Sequence, residues 1–269
     1  GRVIEDIDRW KVTHIVLVPA QIAASLDHPN YSPEKLMSLE MLHNLGAPLH
    51  VRVKERINAE LPGRFYELYG LTEGFMTVLD KHDSVRKLGS VGCPPPFMQI
   101  SIRREDGSAC APGEVGEICG KSPCMMPGYY KRPDLTALAI RDGWLHTGDA
   151  GYLDEDGYLF LVDRIKDMII TGGVNVYPFD IEKIIATHPA VREAAVFGIP
   201  DEKWGEVPVA SVTLKQGEIV DAAVLVEWTN ARVDAKFQRI KDVLVYDEFP
   251  RNVAGKTLKR EMRERYGNG

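Results

Sequence analysis

Paired cysteines are missing from this chain. Its 4 cysteines stand at positions 93, 110, 119 and 124, with no C-x-x-C pair and no histidine pair at zinc spacing. That excludes a zinc finger read from spacing, and leaves buried or idle thiols in a reducing cytosol as the expected state. Long apolar runs are missing too. Ile15-Val16-Leu17-Val18 ends at Pro19, far short of the roughly 18 apolar residues of a membrane-spanning helix. A basic excess is also absent: 33 Lys and Arg against 39 Asp and Glu leave a net charge of −6, which argues against nucleic-acid binding through a broad basic face. There is no charged-then-apolar leader at the N-terminus, no initiating Met, and an amphipathic stretch (Ile4, Ile7, Trp10) begins at once. An internal start and a cytoplasmic location are the expectations. What remains is ordinary for a globular protein: 269 residues, 44% hydrophobic and 27% charged, enough for one or two domains.

Three textures follow one another. In the first ninety residues helical and strand patterns alternate, which predicts a parallel α/β sheet. Val3–Arg9 reads as a helix, Ile15–Val18 as a buried strand, Leu49–Leu61 as a helix, and Phe65–Tyr69 as a strand. Ser32-Pro33-Glu34 reads as a helix start, with Leu36, Leu39 and Leu42 repeating after it. After Gly89, short β runs at Gln99–Ile102, Val115–Ile118, Trp144–Leu145 and Tyr158–Val162 are separated by Gly-containing turns, the pattern of a small antiparallel barrel or sheet. After Val162 an α+β module is predicted. It has strands at Met168–Ile170, Ala194–Ile199, Val207–Leu214 and Val243–Tyr246, and helices near Pro178–Ala186, Asp221–Arg232 and from Leu258. The expected domains are 1–90, 91–163 and 164–269.

Five segments could carry chemistry. Tyr69-Gly70-Leu71-Thr72-Glu73 follows a strand and offers a hydroxyl and a carboxylate at the strand's C-terminal end, where open α/β sheets bind ligands; it reads equally well as a capped turn. Gly148-Asp149 places an acid that could hold vicinal hydroxyls or cap a turn. Asp163-Arg164-Ile165-Lys166 reads locally as a solvated linker, and Gly172-Gly173 as a flexible bend. Pro250–Lys256 is a Gly-containing loop with a lysine at its tip, suited to a phosphate or carboxylate oxygen and equally to plain solvent exposure.

Taken in order, Tyr-Gly-x-Thr-Glu, Thr-Gly-Asp, Asp-Arg-x-Lys and Pro-x4-Gly-Lys resemble the adenylate-forming superfamily of acyl-CoA synthetases, aryl-CoA ligases, luciferases and peptide-synthetase adenylation domains. The resemblance runs from Thr13-His14 to Arg260. It implies ATP-dependent activation of a carboxylic acid, fatty or aryl, as an acyl adenylate, then thioester formation with coenzyme A. By that resemblance Gly46-Ala47-Pro48 lies against adenine, and Tyr69 and Gly70 line the nucleotide. Thr72 bonds phosphate, Glu73 holds Mg2+, and Asp149 and Arg164 take the ribose. Lys256 bridges the acyl carboxylate and the α-phosphate. Lys166 is the hinge of a mobile C-terminal lid domain, and Gly172-Gly173 borders the coenzyme A tunnel. The string from Asp163 to Gly173 favours the CoA ligases over peptide synthetases. The family's Ser/Thr/Gly-rich phosphate loop lies upstream of Thr13 and is not found here. The implied reading is therefore the C-terminal half of such an enzyme, inactive alone, which meets its missing half or a second copy through an exposed face. A non-catalytic nucleotide- or partner-binding module and a peptide-synthetase fragment are the alternatives.

Overall fold

A computed structural model describes residues 1–251 and 257–267. The first of its two units, Gly1–Leu161, begins with helix α1 (Arg2–Trp10), which turns Ile4 and Ile7 inward. Strands β1 (His14–Leu17), β2 (Met41–Asn44), β3 (Phe65–Leu71) and β4 (Phe75–Leu79) form a sheet in that order. β1, β2 and β3 run parallel, and β4 returns antiparallel to β3. Helices α2 (Pro19–Leu26) and α3 (Val51–Glu60) are the crossover pieces. Ile4, Ile22, Leu39, Ile57 and Phe65 pack into one core.

Two expectations fail in this region. Ser32-Pro33-Glu34 begins only a short 3-10 turn (Pro33–Leu36), and Leu42 lies in β2. A spacing of three suits a 3-10 turn as well as a helix, and parallel pairing with β1 claims Met41–Asn44. β1 is also not wholly buried: it is an edge strand, and Val16 is 50% exposed.

Strands β5 (Gln99–Arg103), β6 (Gly116–Lys121), β7 (Ile140–Arg141), β8 (Trp144–Leu153) and β9 (Leu159–Arg164) form a second, five-stranded sheet. Its order is β5-β6-β8-β7, antiparallel throughout, with β9 also on β8. The strand path is open rather than closed into a barrel. Helix α4 (Pro133–Ala139) precedes β7. Phe75 of β4 joins Ile102, Ile118, Leu145 and Leu159 in this sheet's core.

The second unit, Val162–Gly269, contains β10 (Ile169–Thr171), β11 (Val174–Val176), α5 (Pro178–Ile185), β12 (Val191–Asp201), β13 (Gly205–Leu214), α6 (Ala222–Asn230), β14 (Val243–Tyr246) and α7 (Lys259–Gly267). The sheet order is β11-β10-β13-β12, with β14 parallel to β13. Because side chains alternate along a strand, Val196, Ala210 and Val212 join a core with Ile181, Ile185 and Leu225, while Phe197 and Val209 join another with Tyr246 and Met262. Both faces are covered, so β12 and β13 read as nearly continuous apolar runs.

Helix α6 starts at Asp221, whose carboxylate accepts the Ala223 N–H at 2.8 Å. Asp221→Ala is expected to cost about 0.5–2 kcal/mol of stability. The check is denaturant unfolding, where the midpoint should fall at unchanged slope.

Among the described residues, no helix is long and apolar enough to cross a membrane.

Candidate functional site

Parallel strands β2 and β3 end at the same edge of their sheet, and both end in candidate segments. After β2 the chain enters Gly46-Ala47-Pro48, an exposed loop leading to α3. A buried polar group stands beneath it. Asn44 Nδ2 donates to the Ala47 carbonyl at 3.4 Å and to Glu67 Oε1 at 3.1 Å. Glu67 Oε2 is paired with Lys54 Nζ, and both side chains are almost wholly buried. Burial pushes the Glu67 carboxyl above its ordinary range, and the Lys54 ammonium opposes that shift.

After β3 the chain turns through Thr72 and Glu73. Tyr69 and Gly70 are still in the strand, opposite Thr77 and Met76, and the turn falls after them, at 72–74. Thr72 Oγ1 donates to Glu73 Oε2 at 3.3 Å, and the Tyr129 hydroxyl donates to Glu73 Oε1 at 2.7 Å. The Met126 N–H bonds the Glu73 carbonyl at 2.8 Å. This holds the carboxylate half-buried with its oxygens oriented by hydroxyls. The bond to Glu73 pushes the Tyr129 phenol upward. One oriented carboxylate beside hydroxyls suits a hard cation such as Mg2+, which takes oxygen ligands and keeps several of its waters.

Asp149 lies inside β8, not in a loop after it. The β6–β8 register shifts between Glu117 and Cys119, and Gly148 takes φ +69° in the resulting bulge, a conformation costly for any residue with a Cβ. Glu117 Oε1 accepts the Gly148 N–H at 3.2 Å. Thr147 Oγ1 donates to the Ile118 carbonyl at 2.8 Å and accepts the Asp149 N–H at 3.1 Å. So aimed, Asp149 Oδ2 accepts the Tyr69 hydroxyl at 2.8 Å, a bond between residues 80 apart in the chain. The structure thus brings Tyr69 and Asp149 together, and Thr72, Glu73 and Tyr129 together.

The remaining candidates are in the second unit. Arg164 ends β9, and exposed Lys166 sits in a 3-10 turn (Ile165–Asp167). Asp163 caps this stretch by accepting the N–H groups of Arg164 at 2.7 Å and Phe179 at 3.0 Å, and burial pushes its carboxyl upward. Gly172-Gly173 is not a loose bend. It is the two-residue turn of the β10–β11 hairpin, with φ +59° and +80°, a geometry that glycine supplies. The Gly172 N–H bonds the Trp204 carbonyl at 2.7 Å, and the exposed Trp204 ring covers Gly172. Lys256 lies outside the described residues.

Sequence reasoning missed Tyr129, Lys54, Glu67 and Trp204. A tryptophan set between Asp201 and Gly205 was the one signal available for the last, and the structure leaves it exposed.

The family model described as AMP-binding enzyme matches residues 1–130, and the model described as AMP-binding enzyme C-terminal domain matches residues 180–256. A feruloyl-CoA synthase from Amycolatopsis sp is 38% identical across 99% of this chain and 54% of the relative. A medium/long-chain-fatty-acid–CoA ligase from Mycobacterium tuberculosis is 38% identical across all of this chain and 49% of the relative. Among solved structures, the amide bond synthetase McbA from Marinactinospora thermotolerans superposes with TM-score 0.91 at 33% identity, over 98% of this chain and 54% of its own. The o-succinylbenzoate CoA synthetase from Bacillus subtilis, in complex with its acyl-adenylate intermediate, gives TM-score 0.87 at 36% identity, over 97% and 53%. The chain thus spans about half the length of the relatives it matches. With both family models matched in order and CoA ligases similar along its whole length, the chain belongs to the AMP-binding enzyme family.

Proposed function

We propose that the protein carrying this chain activates a carboxylic acid as its acyl adenylate and passes the acyl group to coenzyme A. The observation that carries this is the Tyr69–Asp149 bond, which joins two motifs that are unconnected in sequence. A carboxylate is a poor electrophile, and mixed-anhydride formation makes its carbonyl attackable. Bringing a carboxylate up to a triphosphate joins two anions, so the site must supply positive charge and fixed dipoles.

In this reading Asp149 accepts the ribose hydroxyls, with its carboxylate rotation set by Tyr69, and Arg164 contacts the ribose as well. The exposed 46–48 loop lies along adenine. Thr72 donates to phosphate. Glu73, oriented by Tyr129, holds Mg2+, which when bound neutralises phosphate charge. Lys256 bridges the two anions. Lys166 is the pivot of a moving lid domain formed by 164–269, the other domains being 1–90 and 91–163. The Gly172-Gly173 turn, with Trp204 beside it, borders the thiol's path. The phosphate loop comes from the other half of the protein, so this chain alone is inactive. The exposed side of edge strand β1 is where that half, or a second copy, would meet it. The acid is fatty or aryl, fatty being our preference.

The test uses the intact protein. Pyrophosphate release should depend on an added fatty or aryl acid, and thioester should form with free coenzyme A. Acylation of a carrier protein but not of coenzyme A would transfer the protein to the peptide-synthetase reading. No binding of a non-hydrolysable acyl-AMP analogue would leave a non-catalytic module.

A further inference from the structure

Cys119 on β6 and His146 on β8 are direct register partners, and Glu117 stands two residues before Cys119. Their donor atoms converge. Cys119 Sγ lies 3.4 Å from His146 Nδ1, Glu117 Oε2 lies 2.7 Å from the same nitrogen, and all three donors fall within 4.8 Å of one another. One imidazole nitrogen carries at most one proton, so its two neighbours at 2.7 Å and 3.4 Å would have to share it. A single cation placed among the three donors would bond all of them.

The spacing suits such a cation. Tetrahedral zinc, with Zn–S of about 2.3 Å and Zn–N and Zn–O of about 2.0–2.2 Å, holds its ligand atoms roughly 3.2–3.6 Å apart. Small side-chain rotations would open the present cluster to that size. We propose that Glu117, Cys119 and His146 form a binding site for a zinc-class divalent metal ion, with water in the fourth position. The inference stands apart from the proposed activity and from the Mg2+ position at Glu73.

Three further features bear on it. The second oxygen of Glu117 is fixed by the Gly148 N–H at 3.2 Å, the kind of outer bond that orients a ligating carboxylate. An open cleft of about 340 Å³, lined in part by Glu117, His146 and Gly148, gives water access. Burial, with Glu117 beside it, pushes the Cys119 thiol up to about 12. A metal must therefore displace that proton on binding. Arg141, whose guanidinium lies 3.3 Å from Glu117 Oε2, is exposed and must swing away. Because Glu117 also holds the Gly148 amide, metal binding would act on the bulge that aims Asp149.

The test is titration of the chelator-treated intact protein with Co2+ alone. One equivalent should give tetrahedral cobalt absorption and a thiolate-to-cobalt charge-transfer band, both removed by Zn2+. Cys119→Ser should abolish the charge-transfer band, and His146→Gln should weaken Co2+ binding at least roughly tenfold. Absence of the band in the unaltered protein overturns the proposal. So does a band that persists in Cys119→Ser, since Cys93, Cys110 or Cys124 would then be the ligand.

Discussion

Lys54→Met is expected to lower the unfolding free energy by about 3–5 kcal/mol, because it leaves Glu67 buried without its counter-charge. The Lys54 and Glu67 side chains are 4% and 2% exposed, so neither water nor salt can substitute for the lost partner. The Asn44 amide and the Leu49 N–H remain beside Glu67, but neutral donors do not replace an ammonium. The deficit should depend on pH. Burial already raises the Glu67 carboxyl in the folded chain, and loss of Lys54 raises it further. A carboxyl raised on folding contributes stability below its unfolded value, near 4.3, and loses it as pH climbs through the folded value. The variant should therefore be closest to the parent in acid and furthest from it near neutrality. Lys54→Met combined with Glu67→Leu should recover most of the loss, since well-packed apolar side chains can replace a buried ion pair. Denaturant unfolding of the intact protein at several pH values is the measurement. A cost under about 1 kcal/mol for the single change would mean that this pair is not sealed from solvent.

Asp149→Ala is expected to lower kcat/KM for adenylate formation by roughly 10²–10⁴-fold. In its proposed role Asp149 accepts two ribose hydroxyls, and each bond to a charged acceptor is worth about 1.5–3 kcal/mol. Tyr69→Phe should cost only about tenfold, because it removes one bond that sets the carboxylate's rotation and leaves the charge in place. The graded pair separates binding from bulge structure. If Asp149 served only to shape β8, its loss would lower stability while activity per folded molecule held. Steady-state pyrophosphate release beside thermal unfolding reads both quantities, and a loss of activity smaller than tenfold would remove Asp149 from the nucleotide site.

The motif order was readable because each motif is local: Tyr69 to Glu73, Gly148-Asp149 and Gly172-Gly173 are short strings. Long periodic elements such as α3 and apolar runs such as β13 and β14 were equally legible. Helix α2 was missed because Pro19 reads as the stop of a strand, while in the fold it opens a helix at its first turn. β2 was missed because Leu42 fitted a run of leucines three apart, and only pairing with β1 decides its conformation. The supports of the site were illegible for the same reason. Tyr129 reaches Glu73 across 56 residues, and Cys119 meets His146 through strand register. A search for metal ligands by spacing within one segment passes over a pair contributed by neighbouring strands.

The sheet of the second unit separates two apolar interiors, one against α5 and α6 and one against α7, with the Lys259–Glu182 ion pair joining α7 to α5. Side chains on opposite faces of a strand share no partners, so their substitutions should be nearly additive, whereas neighbours on one face should couple. Phe197 and Val209 can then change with Met262 while Val196 and Val212 stay fitted to Ile181 and Leu225. Such a partition lets the apolar residues of one side be refitted to a new neighbour without reopening the other, provided the Lys259–Glu182 pair is kept.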